Sequence, residues 1–194
     1  MKRLNATLLT VLMVLGLSIP GAAGYEPNTD YMELMIQAVM KGDVDAGEQA
    51  EQDRNEKIQT LGLPYDEISF DDLLLLSRVI YREAGSNWLS EEWKMSVGEV
   101  VLNRVASSEF PDTVREVVMQ PGQYGGRTKE FKYLRPSRTC VEIALRLLSG
   151  ERILDEPSVV FQSNKHLGSG VYKKLTDNQL GATYLCYSSH PELY

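Results

Sequence analysis

The chain has 194 residues, 43% hydrophobic and 24% charged, with a net charge of −7. These values exclude bulk disorder and leave room for one sizeable core plus extra segments. Two cysteines exclude a disulfide-dense scaffold. With only two well-separated histidines and no CxxC pair, the chain has no zinc-site pattern.

The first residues form a three-part leader: basic Met1-Lys2-Arg3, an apolar run from Leu8 to Ile19, and small residues through Pro20 to Gly24. This predicts a secretory signal peptide over 1–24, a mature start near Tyr25, and a secreted or wall-associated protein. The apolar run is shorter than the ~20 residues that span a bilayer, and no basic stop-transfer cluster follows it, so no stable membrane span is expected after cleavage. Charge is uneven. Residues 25–72 hold thirteen acidic and three basic side chains, a balance of −10, whereas 73–194 are nearly neutral at +1. A neutral domain with a local basic loop can approach a polyanionic wall without strong repulsion.

Residues 25–68 read as an acidic helical hairpin and linker. Thr29-Asp30 can cap a run with Met32, Met35, Ala38 and Val39 on one side, Lys41-Gly42-Asp43 breaks it, and a polar helix follows from about Asp45 to Gln59. An acidic solvated spacer is the simpler reading, a wall-positioning adaptor the sharper one. Nothing in the residues names a protein partner for it.

The main domain is expected over 69–194. Ser69 and Asp72 have capping-box spacing before an apolar helix that runs to Arg82. Ser90-Glu91-Glu92 opens a second helix to about Ser107, Thr113 and Glu116 a short third, and Ser137 a fourth closed by Gly150. After Pro157 the texture turns β-rich, in Val159–Gln162, Gly170–Lys173 and Ala182–Tyr187. The expected class is α+β, a helical body with a small antiparallel sheet. Cys140 and Cys186 would tie the fourth helix to the last strand if they pair; otherwise they are two buried thiols.

Glu83 is the leading chemical candidate. Leu76, Val79 and Ile80 share its helix face, and it stands where the helix ends before Gly85. Partial desolvation and the negative end of the helix dipole both favour its protonated form, as a proton donor for glycosidic cleavage requires. Glu99 on the next helix is either a second carboxylate, a support for Glu83, or an idle surface residue, the last being preferred. Two carboxyls ~5–9 Å apart would suit ordinary hydrolysis. Gln123, Tyr124, Gln162, Tyr172 and Tyr184 have the neutral polar and aromatic character that sugars require and are candidates for substrate binding. The basic stretch Arg127, Lys129, Lys132, Arg135 and Arg138 is a solvated face or a contact for anionic wall polymers. Nucleic acid is a poor fit to an exported chain.

Taken in order, several stretches carry a specific resemblance. They are Tyr81-Arg82-Glu83-Ala84, Val97-Gly98-Glu99-Val100-Val101-Leu102-Asn103-Arg104-Val105, Phe110-Pro111-Asp112-Thr113-Val114, Val117 to Tyr124, and the helix around Cys140 to Gly150. Together residues 73–187 resemble the catalytic domain of bacterial cell-wall hydrolases related to the spore cortex-lytic enzyme. The resemblance implies a lysozyme-like α+β fold and a peptidoglycan glycan strand as partner, cut at the MurNAc–GlcNAc bond. It also implies a lytic transglycosylase outcome with Glu83 as acid and then base, without cofactor. Two departures stand out: Ser86-Asn87 follows Gly85 where many relatives carry Gly-Glu, and the last strand around Tyr184 lacks a histidine often found there.

Overall fold

The computed structural model describes residues 27–62 and 68–194, with side chains from Asp30 onward. The expected signal peptide and most of the linker lie outside the described residues. Among the described residues seven α-helices are formed: α1 Pro27–Lys41, α2 Val44–Leu61, α3 Phe70–Ala84, α4 Glu91–Ala106, α5 Val114–Val118, α6 Lys129–Lys132 and α7 Arg138–Leu148. Three strands follow, β1 Val159–Ser163, β2 Val171–Asp177 and β3 Gly181–Tyr187, and a 3-10 turn at Pro191–Leu193.

The helix starts are set by local capping chemistry. Ser69, Ser90, Thr113 and Ser137 each accept a hydrogen bond from the backbone N–H three residues on, at 3.1, 3.2, 3.2 and 3.4 Å. Asp43 does the same for α2, and Gly62 closes that helix in the left-handed region at φ 63°. α1 begins at Pro27, ahead of the expected cap, so Asp30 lies in its first turn. The short α6 lies inside the stretch read from sequence as a basic loop.

α3, α4 and α7 form the centre of the body. They approach closely at Gly98, where a Cβ would fall 2.5 Å from Leu147 Cδ1 and 3.0 Å from Ile80 Cδ1, so the three helices pack at this distance only around a glycine. Leu73, Leu76, Val79, Ile80, Val97, Val101, Val141, Ala144 and Leu147 are fully buried there. The sheet has strand order β1-β3-β2, antiparallel throughout, and covers one end through Val159, Leu175 and Leu185. The α+β class expected from the sequence is therefore found.

The hairpin is not a solvated spacer. Met35, Ile36, Ala38, Val39 and Ala50 are buried in the same apolar cluster as Phe70 and Leu73. Arg54, fully buried, donates to the carbonyl of Ile68 at 2.8 Å, and Arg138 grips Glu33 with two hydrogen bonds of 2.8 Å. Two of its acids also face the body, Glu33 toward Arg138 and Glu51 accepting from the Phe70 amide at 2.9 Å, while its apolar side completes the core. Cys140 and Cys186 are both buried and unpaired, the second of the two alternatives.

Candidate active site

Glu83 is the penultimate residue of α3, and its apolar stripe delivers it to the surface. Leu76, Val79 and Ile80 are fully buried, whereas the Glu83 side chain is 38% exposed. Its one charged contact is a long one, 3.9 Å from Arg82 Nε, and among the described residues its carboxyl accepts no hydrogen bond. Surrounding protein raises its pKa above the ordinary carboxylate value by desolvation, opposed only weakly by Arg82. An unengaged, partly desolvated carboxyl is free to exchange a proton with a ligand.

The loop after it is pinned from beneath. Lys94, almost fully buried, donates to the carbonyls of Ser86 at 2.9 Å and Leu89 at 2.7 Å. Between them stands Trp88, 54% exposed. Its indole helps hold the Asp177 carboxyl below the ordinary range, after the Leu180 and Gln179 amides, which puts it beside the β2–β3 turn. Trp88 was passed over in the sequence. The available signal was an aromatic residue in a polar loop five positions beyond Glu83.

Opposite runs the segment 120–126. Gly125 lies against the Arg82 guanidinium, and Tyr124 is close enough to Glu83 for the two to interact electrostatically. Burial pushes the Tyr124 phenol up to about 12, with Arg104 lowering it and Glu83 adding to the rise. The Tyr124 hydroxyl is enclosed and has no hydrogen-bond partner. Buried Arg104 of α4 organises this side. Its guanidinium lies 5.1, 5.2 and 5.7 Å from the ring centroids of Phe110, Tyr124 and Phe161. It also donates to Val160 O at 2.6 Å and to Gln123 Oε1 at 2.8 Å. Gln123 and Tyr124 are thus held as a unit across from Glu83.

Glu99 does not have the surface position preferred for it from sequence. Its residue is 1% exposed, and its two carboxylate oxygens accept from the backbone N–H groups of Ile153 and Leu154 at 2.7 to 3.1 Å. Desolvation raises its pKa while these amides and Arg152 lower it. Buried and held by the chain that enters β1, it serves that segment's amides rather than an open site.

The strand residues divide. Gln162 is paired with Leu185, and Ser163 with Tyr184, so Gln162 and Tyr184 emerge on opposite faces of the sheet. Gln162 is half-buried and, among the described residues, its side chain makes no hydrogen bond. Tyr184 packs edge-on against His166, 4.4 Å between centroids, beneath the Lys174 ammonium. Tyr172 donates its hydroxyl to Asp155 at 2.5 Å and meets Tyr187 edge-on, a packing arrangement that already uses its polar tip. The structure therefore brings Tyr124 toward Glu83, joins Gln123 to Tyr124 through Arg104, and leaves Gln162 and Tyr184 on opposite faces of the sheet.

Residues 90–179 match the family model described as Cell Wall Hydrolase, a span that begins seven residues after Glu83. The spore cortex-lytic enzyme of Bacillus cereus is 31% identical over 83 residues, 42% of this chain and 31% of that protein. That of Bacillus subtilis is 24% identical over 118 residues, 61% of this chain and 38% of that protein. The chain thus spans about a third of the length of these curated relatives. A solved structure, the catalytic domain of the Bacillus cereus SleB protein, is 22% identical with a TM-score of 0.46, covering 62% of this chain and 94% of that one.

Proposed function

We propose that this chain, which carries a domain of the cell wall hydrolase family over residues 90–179, is an exported enzyme that cleaves the MurNAc–GlcNAc bond of peptidoglycan as a lytic transglycosylase. Residues 69–194 form its catalytic part, with Glu83 as the acid and base. The observation that carries this reading is the Glu83 carboxyl itself: partly exposed, raised in pKa by desolvation, and accepting no hydrogen bond among the described residues.

One carboxyl suffices for the chemistry. Protonated Glu83 gives its proton to the bridging oxygen as the bond to muramyl C1 breaks, and GlcNAc leaves with a free 4-hydroxyl. The resulting Glu83 carboxylate takes the proton of the muramyl C6 hydroxyl, whose oxygen closes on C1 to form the 1,6-anhydro ring. Glu83 ends protonated, ready for the next turnover. A raised pKa keeps the acid form populated toward neutral pH, so activity falls as pH rises through it. The engagement of Glu99 by Ile153 and Leu154 favours this internal nucleophile over a water activated by a second carboxylate. Exposed Trp88 supplies an apolar face for a sugar ring.

Purified peptidoglycan digested with the mature protein and read by mass spectrometry tests the reading. Products ending in 1,6-anhydro-muramic acid are expected, reduced by ~10²–10⁴-fold in Glu83→Gln, the usual range for losing a general acid. Hydrated reducing ends would overturn the ring-closing step. Binding without any product from folded protein would make the chain a wall-binding module.

A further inference from the structure

Between α2, α3, α5 and the segment 126–133 lies a cavity of about 590 Å³ that the mechanism above does not use. Leu74, Leu75 and Phe131 give it an apolar floor, and Arg78, Lys129 and Lys132 line its walls. Arg115 also borders it, but is already paired with Asp71. Arg78 is the unusual member. It is 6% exposed, its Nε is enclosed without a hydrogen-bond partner, and among the described residues no carboxylate pairs with it. Desolvation and the neighbouring Arg135 both press its pKa below the ordinary arginine value, only partly offset by Asp71. A buried guanidinium without an acceptor is unfavourable until an anion supplies one, and its planar fork matches a carboxylate.

We propose that this cavity binds a short carboxylate-bearing peptide with small aliphatic side chains, of the kind that peptidoglycan carries on its muramyl residues. The assignment rests on the peptidoglycan reading and extends it from the glycan to its peptide. Two features select this ligand. First, an apolar floor beneath cations fits an aliphatic acid, whereas a bare phosphate would leave the floor uncovered. Second, the cavity adjoins the catalytic side. Arg78 precedes Glu83 by five residues, a rise of ~7.5 Å along α3. Arg82, one turn from Arg78 on the same face, lies against Gly125, and the next residue, Gly126, lines the cavity.

Calorimetric titration of the full chain with N-acetyl-L-alanyl-γ-D-glutamyl-L-alanine is the test, with its fully amidated form and inorganic phosphate as comparisons. Saturable binding of the acid form is expected, weakened at least tenfold by amidation, by Arg78→Met, and by Lys129→Glu with Lys132→Glu. Both lysines are exposed, so their variants keep the test decisive if Arg78→Met fails to fold. Equal affinity for the amidated peptide, or no effect of the lysine changes, would overturn the proposal. Phosphate binding without peptide binding would overturn it in favour of an inorganic-anion site. Glycan cleavage without peptide binding defeats this inference alone, whereas peptide binding without cleavage supports the cavity and defeats the enzyme reading.

Discussion

The Arg104 guanidinium sits 5.2 Å from the centroid of the Tyr124 ring while donating 2.8 Å to the side chain of the preceding residue, Gln123. One buried cation thus holds both residues of a loop that has no regular structure of its own and faces Glu83. Arg104→Met keeps most of the volume and removes the donors, leaving Val160 O and Gln123 Oε1 without them. We expect a loss of ~2–4 kcal/mol in stability, since charge-assisted bonds in a buried setting are involved. Cleavage per folded molecule should fall at least tenfold, with Arg104→Lys intermediate because a point charge cannot match the planar stack. Denaturant melts beside product assays check this, and unchanged turnover would show that the loop needs no such anchor.

Glu99 calls for the opposite pattern. Glu99→Ala strands the buried amide of Leu154 and frees that of half-exposed Ile153, which costs ~2–3 kcal/mol for one unsatisfied donor and a small cavity. Turnover by the fraction that remains folded should stay within a few-fold of wild type. A Glu99→Ala protein that melts normally yet cuts no peptidoglycan would reverse the assignment and restore a two-carboxylate site.

The helices of this protein were readable because their signals are local. Ser69, Ser90, Thr113 and Ser137 act within three residues, and apolar spacing marks the buried faces of α3 and α7. The position of Glu83 was readable for the same reason: it stands at the end of an apolar stripe. What escaped is long-range. Glu99 stands among Val97, Val100 and Val101, which leaves its own direction undecided, and the amides that capture it are 54 and 55 residues away. Arg104 finds Val160 at a separation of 56. The hairpin looked solvated because in its second helix the charged residues outnumber the apolar ones, yet the Arg138–Glu33 contact that helps dock it joins positions 105 apart. Helix α6 was hidden because four residues with one buried side chain, Phe131, carry no period.

That docking contact titrates. Arg138 holds the Glu33 carboxyl down from 4.5 to about 2, helped by Gln37. A depressed carboxylate contributes stability that is complete above the unfolded value and is lost as pH falls through the folded one. The contribution should therefore be present above about pH 4.5 and fade toward about pH 2. The pair is largely exposed, so the effect is modest and salt-sensitive. Protection of α1 amides, measured as exchange relative to the unfolded chain at each pH, should fall as pH drops through this window in wild type and already be low in Glu33→Gln. Identical profiles for the two would remove Glu33 from the docking account.

Gly47 offers a case in which two effects have opposite signs. It lies inside α2, where replacing glycine with alanine ordinarily stabilises a helix by ~1 kcal/mol. Here the Phe70 ring of the main body rests directly on it: an added Cβ would fall 2.1 Å from two ring carbons. Phe70 is 1% exposed and enclosed by the shared core, so the ring cannot swing aside without moving α2 or α3. Overpacking of this kind costs ~1–3 kcal/mol, which exceeds the propensity gain. Gly47→Ala should therefore destabilise the whole protein, and Gly47→Ala combined with Phe70→Leu should recover part of the loss. Thermal melts of the two variants decide it. A stabilised Gly47→Ala protein would mean that hairpin and body are not pressed together at this point, and that the hairpin folds as a unit of its own.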